Sequence, residues 1–147
     1  MTYTIKEVAH KVGLSAYTLR FYDKQGLLPF VSRDQSGYRA FTDGDLHLLH
    51  TIICLKNTGM TISNIRQYIG YVMAGPESIA KRRQLLTDHR HAILDQQARI
   101  MTNLQEVDYK LALYNNPDAS KLVLAELAQA KSEKRASGLA DPFPVTK

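Results

Sequence analysis

Apolar residues recur at helical spacing almost from the start of the chain: Ile5, Val8, Ala9 and Val12 form one face. Thr4-Ile5-Lys6-Glu7 ahead of them reads as a capping box, with the Thr4 hydroxyl accepting from the Glu7 amide and the Glu7 carboxylate reaching back. Gly13 closes that helix where a left-handed residue is wanted, and Leu14 fills the corner. Ser15 caps a second short helix whose Leu19 faces inward, leaving Tyr17, Thr18, Arg20, Tyr22 and Lys24 for the outer side. Two helices meeting through a short glycine-containing turn is the helix-turn-helix pattern. The pattern breaks at Gly26-Leu27-Leu28-Pro29, and two short runs, Phe30–Arg33 and Tyr38–Phe41, flank Asp34-Gln35-Ser36-Gly37. Turn residues at such a corner predict a small β-hairpin over residues 28–41, a wing carrying Arg33, Tyr38 and Arg39 with Phe41 turned inward.

Thr42-Asp43-Gly44-Asp45 opens a third helix, a hydroxyl cap with acids near the positive end of the dipole. Leu46, Leu48, Leu49, Ile52, Ile53 and Leu55 make it apolar over most of its circumference, the signature of a buried helix. Asn57-Thr58-Gly59 ends it. Thr61 starts a fourth helix with Ile62, Ile65, Ile69, Val72 and Met73 at helical spacing.

From Pro76, a residue suited to a first helical turn, to Tyr114 there is no further proline and no glycine. Ile79, Leu86, Ile93, Ile100, Val107 and Tyr114 are seven apart throughout, a heptad that predicts a coiled-coil seam. An unbroken helix of about 39 residues would extend roughly 58 Å, more than a core on this chain could cover. The companion seam position is apolar at Leu104 and Leu111 but holds Arg83, Arg90 and Gln97 earlier. A second copy of the chain is the expected cover, and dimerisation would repeat the reading head about a twofold axis. Asn115-Asn116-Pro117 ends the helix. Leu122, Ala125, Leu127 and Ala128 predict one more short helix, and from roughly Lys131 the chain reads as a loose polar tail. The organisation predicted is 1–75, 76–116 and 117–147: head, dimerisation helix, and short C-terminal helix with tail.

The chain's 147 residues, 44% hydrophobic and 22% charged, describe a soluble globular protein. Its net charge of +5 is uneven, with eight Lys/Arg against five Asp/Glu in residues 1–75. A basic N-terminal half permits a polyanionic partner. The second helix, with its hydroxyls, tyrosines and arginine, suits phosphate and base-edge contacts in a major groove. No stretch is long and apolar enough to span a membrane and no secretory signal precedes the first helix, so the cytoplasm is the expected compartment.

Five pieces in order carry a resemblance: the capped first helix, Ser-x-x-Thr-Leu-Arg-Phe-Tyr with Gly-Leu-Leu, Gly-Tyr-Arg-x-Phe, Thr-Asp-x-Asp-Leu, and Gly-Met-Thr-Ile-x-x-Ile. Over residues 4 to about 72 the chain resembles the DNA-binding domain of the MerR family. The resemblance implies a mainly α protein: a winged helix-turn-helix domain, a long antiparallel coiled-coil dimerisation helix and a short C-terminal tail. It also implies a homodimer on double-stranded DNA at a promoter, with RNA polymerase as partner, bending and untwisting the duplex when an effector is bound. Carried onto this sequence, the DNA-contact positions are Ser15, Tyr17, Thr18, Arg20 and Tyr22 on the second helix and Arg33, Tyr38 and Arg39 on the wing. Tyr22 has a structural alternative, packing against the wing.

Candidate effector chemistry is sparse. Family members with metal effectors place cysteines at the start of the dimer helix and in a loop after it, and both stretches lack them here. His89 and His91 point to different helix faces, and His47 and His50 alone make a poor metal site. One cysteine excludes an intramolecular disulfide and a cysteine-held iron–sulfur cluster, so no metal and no cofactor is expected. Cys54, amid Ile52, Ile53 and Leu55, reads on composition as a small buried hydrophobe. Yet Ile53-Cys54-Leu55-Lys56-Asn57-Thr58-Gly59-Met60 resembles the NmlR/AdhR-type branch of the family, in which a lone cysteine on this helix is tied to sensing reactive carbonyls or nitrosating agents. Alternatives are an organic ligand held between the dimer helices and the C-terminal segment, constitutive binding without effector, and a coiled-coil adaptor whose winged domain binds protein. No catalytic constellation stands out, so an enzyme is not expected.

Overall fold

The computed structural model describes residues 1–145, which divide into two units, 1–95 and 96–145. In the first, helices α1 (Ile5–Val12) and α2 (Ala16–Lys24) precede strands β1 (Ser32–Arg33) and β2 (Arg39–Ala40), then α3 (Asp43–Asn57) and α4 (Ile62–Met73). A 3-10 turn at Pro76–Ser78 leads into α5 (Ile79–Tyr114), 36 residues long, which begins in the first unit and ends in the second. α6 (Ala119–Ala136) completes the second unit.

Local chemistry sets the boundaries of the head. The Thr4 capping box is formed, and the Thr4 amide donating to the Glu7 carboxylate is the largest cause holding that carboxyl below its ordinary range. A second box pairs Thr42 with Asp45 at the start of α3. Gly13 takes φ 70°, a left-handed conformation that lets its N–H close back on the Ala9 carbonyl and turns the chain into α2. The wing is a two-stranded antiparallel ribbon with Ser32 opposite Ala40 and Arg33 opposite Arg39. Tyr3 extends its edge by exchanging two backbone hydrogen bonds with Phe41, at 2.8 and 3.0 Å.

These elements close around a single core. Val8 of α1, Leu19 of α2, Leu27, Leu28, Phe41, Leu49 and Ile52 of α3, and Ile65 and Ile69 of α4 are all buried. Phe41 faces inward as the sequence predicts. Helix α3, however, buries only the Leu49, Ile52 and Leu55 side, while His47, His50 and Cys54 are exposed on the other. The expectations that α3 is surrounded and that Cys54 sits in the core are therefore corrected. Packing on one flank suffices for a helix at the rim of a small head.

In the second unit the later half of α5 and all of α6 are helical, yet no residue from 96 to 145 is buried. Ile100, Met101, Leu104, Val107, Leu111 and Tyr114 of α5 are each 44–59% exposed. Helix α6 runs to Ala136, beyond the Lys131 at which a loose tail was expected. Gln129 and Glu133 are bonded one turn apart at 3.0 Å, Lys134 and Arg135 sit at the negative end of the dipole, and the Leu139 amide returns to the Lys134 carbonyl past a left-handed Gly138. Among the described residues no helix is long and apolar enough to cross a membrane.

Candidate nucleic-acid interface

The outer side of α2 is organised from its cap. Ser15 Oγ accepts from the Thr18 amide at 3.0 Å, and the Ser15 and Thr18 hydroxyls lie 2.9 Å apart. This leaves the N-terminal turn of α2 at the surface, its amides and dipole favouring an anion. Tyr17 is 80% exposed, and Arg20, Phe21 and Lys24 are exposed along the same helix.

The wing is held as a rigid loop. Asp34 Oδ1 accepts from the amides of Ser36 and Tyr38, Arg33 Nη1 donates to the Gly37 carbonyl at 2.8 Å, and Gly37 takes φ 84° to make the turn. Tyr38 is 74% exposed. Between α2, the wing and the N-terminal edge lies a cavity of about 550 Å³, to which Lys6, Arg20, Arg33, Tyr38 and Arg39 all contribute. Cationic and phenolic side chains from three separate elements thus converge on one concave surface. Asp23 and Asp34 line the same surface, and its exposed cations and phenol are groups that suit contact with a sugar–phosphate backbone.

Two predicted contact residues have other work. Tyr22 is only 6% exposed, and burial pushes its phenol above the ordinary range, so it belongs to the core under the wing. Arg39 is committed within the chain: Nε and Nη2 grip the two oxygens of Asp23 at 3.1 and 2.7 Å, and Nη1 donates to the Val31 carbonyl. Arg33 Nη2 lies 4.0 Å from the same carboxylate but remains mostly exposed. The fork keys the wing to the C-terminal end of α2, fixing the distance between two reading surfaces. Lys6, Phe21 and Asp23 were not singled out by the sequence reading. Nothing in local pattern marks Asp23 as the partner of a residue sixteen positions away, and Lys6 reads as an ordinary solvated face of α1.

Cys54 stands one turn before Thr58, whose hydroxyl donates to the Cys54 carbonyl at 2.8 Å. Thr58 Oγ1 also meets His89 Nε2 of α5 at 2.7 Å. The exposed cysteine therefore shares a helix turn with the residue that joins α3 to α5. Among the described residues no group of three His, Cys, Asp or Glu side chains is placed to hold a metal.

Residues 3–71 match the family model described as MerR HTH family regulatory protein. An uncharacterised HTH-type transcriptional regulator of Haemophilus influenzae is 44% identical over 119 residues, covering 81% of this chain and 88% of the relative. The HTH-type transcriptional regulator AdhR of Bacillus subtilis is 33% identical over 91 residues, 62% of this chain and 65% of its own. Among solved structures, HiNmlR, a MerR family regulator lacking the sensor domain and bound to promoter DNA, superposes with a TM-score of 0.75 at 44% identity, covering 81% of this chain and 94% of that one.

The ion pair and the free arginine are separable by mutation. Asp23→Ala strands a part-buried guanidinium and should cost about 1.5–3 kcal/mol in urea unfolding, as for a charge-assisted hydrogen bond. Arg20→Ala should stay within about 0.5 kcal/mol of the parent, as an exposed substitution does. Equal losses in the two variants would contradict the assignment.

Proposed function

Since the chain belongs to the MerR family of helix-turn-helix transcriptional regulators, we propose that it acts as a homodimer presenting two winged heads to a (pseudo)palindromic promoter element. In this reading Ser15, Tyr17, Thr18 and Arg20 of α2 approach the major groove, while Arg33 and Tyr38 of the wing hold the backbone. Tyr22 and Arg39 support them from behind. The observation that carries the reading is the convergence of Arg20, Arg33 and Tyr38 on one cavity, with Tyr17 exposed nearby on the same helix. The exposed stripe Ile100, Leu104, Val107 and Leu111 supplies the surface for the second copy. Bound at the promoter, the dimer distorts the duplex for RNA polymerase in response to an effector.

A second feature bears on that effector. Because Cys54 is exposed, its thiol can add across the carbonyl of a small aldehyde, sulfur bonding to carbon while the proton passes to oxygen. An adduct there would crowd the turn holding Thr58, and through Thr58 the hydrogen bond to His89 of α5. Electrophile sensing at Cys54 is thus the effector mode that this geometry favours over a ligand held near the C-terminal segment.

Two measurements test these readings. Duplexes selected from a random pool should bind with an affinity that falls steeply with salt, at a slope of about −0.9 per phosphate neutralised. Arg20→Ala should lower affinity and, if it serves a phosphate, reduce that slope by about 1. No binding at low salt would instead favour the protein-interaction adaptor. For the sensor, reporter output under formaldehyde or methylglyoxal should change in the parent and stay flat in Cys54→Ser. An unaltered response in the serine variant removes Cys54 from the mechanism.

A further inference from the structure

Ser78 is the one buried polar residue among those described, and it sits at the joint where α4 gives way to α5. Its hydroxyl reaches the Tyr71 carbonyl and lies 2.8 Å from the Gly75 carbonyl, both in or just past the last turns of α4. Arg82, one turn into α5, lays its guanidinium over the same place. Nε bonds Ser78 Oγ at 2.9 Å, and Nη2 meets the carbonyls of Gly75 at 2.9, Tyr71 at 3.2 and Val72 at 3.3 Å.

The chemistry of this cluster is specific. The last carbonyls of a helix have no intrahelical donor and carry the negative end of its dipole. Here the cation that answers them comes from the next helix, not from α4 itself, whose last turn contains no basic residue. The bonds to the Tyr71 and Val72 carbonyls tie the direction of α5 to the direction of α4, while those to Gly75 and Ser78 hold the connection between them. A planar guanidinium that holds the Ser78 hydroxyl through Nε and the carbonyls through Nη2 fixes orientation in a way that a single flexible ammonium does not. Gly75, at φ 84°, provides the only left-handed residue in the connection.

We propose that Arg82, seated on Ser78, is the positioning residue that sets the angle at which α5 leaves the head, and thereby the half-site spacing that the paired molecule prefers. The inference rests on the dimeric DNA-binding reading above. Its leverage is geometric. The part of α5 within the first unit, Ile79 to Asp95, extends about 25 Å at 1.5 Å per residue. A tilt of about 10° at its root displaces the far end by about 4 Å, more than the roughly 3.4 Å between successive bases on a strand. A loosened joint thus blurs spacing by a base pair or more without touching any DNA-contacting group.

The test uses the full chain and palindromic duplexes selected by the unaltered protein, rebuilt with the centre shortened by one or lengthened by one or two base pairs. The parent should favour one spacing at least tenfold over its neighbours. Arg82→Gln, still folded and dimeric by circular dichroism and sedimentation, should flatten that preference at least fivefold, and Arg82→Lys should flatten it less. A spacing profile unchanged in shape, with affinity uniformly lowered or intact, would overturn the proposal. If Arg82→Gln fails to fold, the lysine variant decides alone: an unaltered profile in it also overturns the inference. Should the parent bind no duplex at any spacing, the DNA reading itself falls and takes this inference with it.

Discussion

The later half of α5 turns a row of apolar side chains out to water. Its outward Ile100, Leu104, Val107 and Leu111 form a continuous apolar stripe, each 44–59% exposed, and among the described residues from 96 to 145 none is buried. Helices in proteins draw most of their stability from packing an apolar face rather than from propensity. Of the two seam positions, only one stays apolar along the whole helix; the other changes from Arg83, Arg90 and Gln97 to Leu104 and Leu111. A second copy running in the opposite direction sets each basic half against an apolar half and avoids stacking arginine on arginine. The proposed pairing of two copies would cover this stripe, and the head's geometry gains its meaning from that pairing.

Within the head, stability and recognition use different charges. Asp23 absorbs Arg39 and thereby anchors the wing, while Arg20, Arg33, Lys6 and Lys24 keep exposed side chains. A carboxylate placed beside Arg33 and Arg39 would be a poor choice if every arginine met DNA. It makes sense once Arg39 is recognised as a structural strut. The same division appears at the joint, where Arg82 neutralises the end of α4 and contributes nothing to the reading surface.

Much of this was legible in the sequence. Thr4, Gly13, Ser15 and Thr42 marked helix boundaries because caps are local chemistry, decided by residues three or four apart. The MerR family and the helical, winged architecture followed from five short pieces in order, and the comparisons agree with them. What escaped was non-local. Arg39 looks the same in sequence whether it faces phosphate or Asp23, and Tyr22 looks the same whether it faces a groove or the core. Composition alone would put Cys54 in the core because its neighbours are apolar, whereas among the described residues α3 buries only its Leu49, Ile52 and Leu55 side. The end of α6 escapes for the opposite reason: Lys131 to Arg135 is polar enough to read as tail, yet the Gln129–Glu133 pair and the closure past Gly138 sustain a helix.

The central claim is that the α5 stripe joins two copies and that pairing is what allows a promoter element to be read. Sedimentation of Leu104→Asp beside the parent, alone and with a selected palindromic duplex, tests it most directly. The account predicts a dimer for the parent and a folded monomer for the variant, with palindrome binding weakened by at least a hundredfold while each head keeps its secondary structure. A parent that sediments as a monomer at micromolar concentration and still binds the palindrome tightly would contradict it.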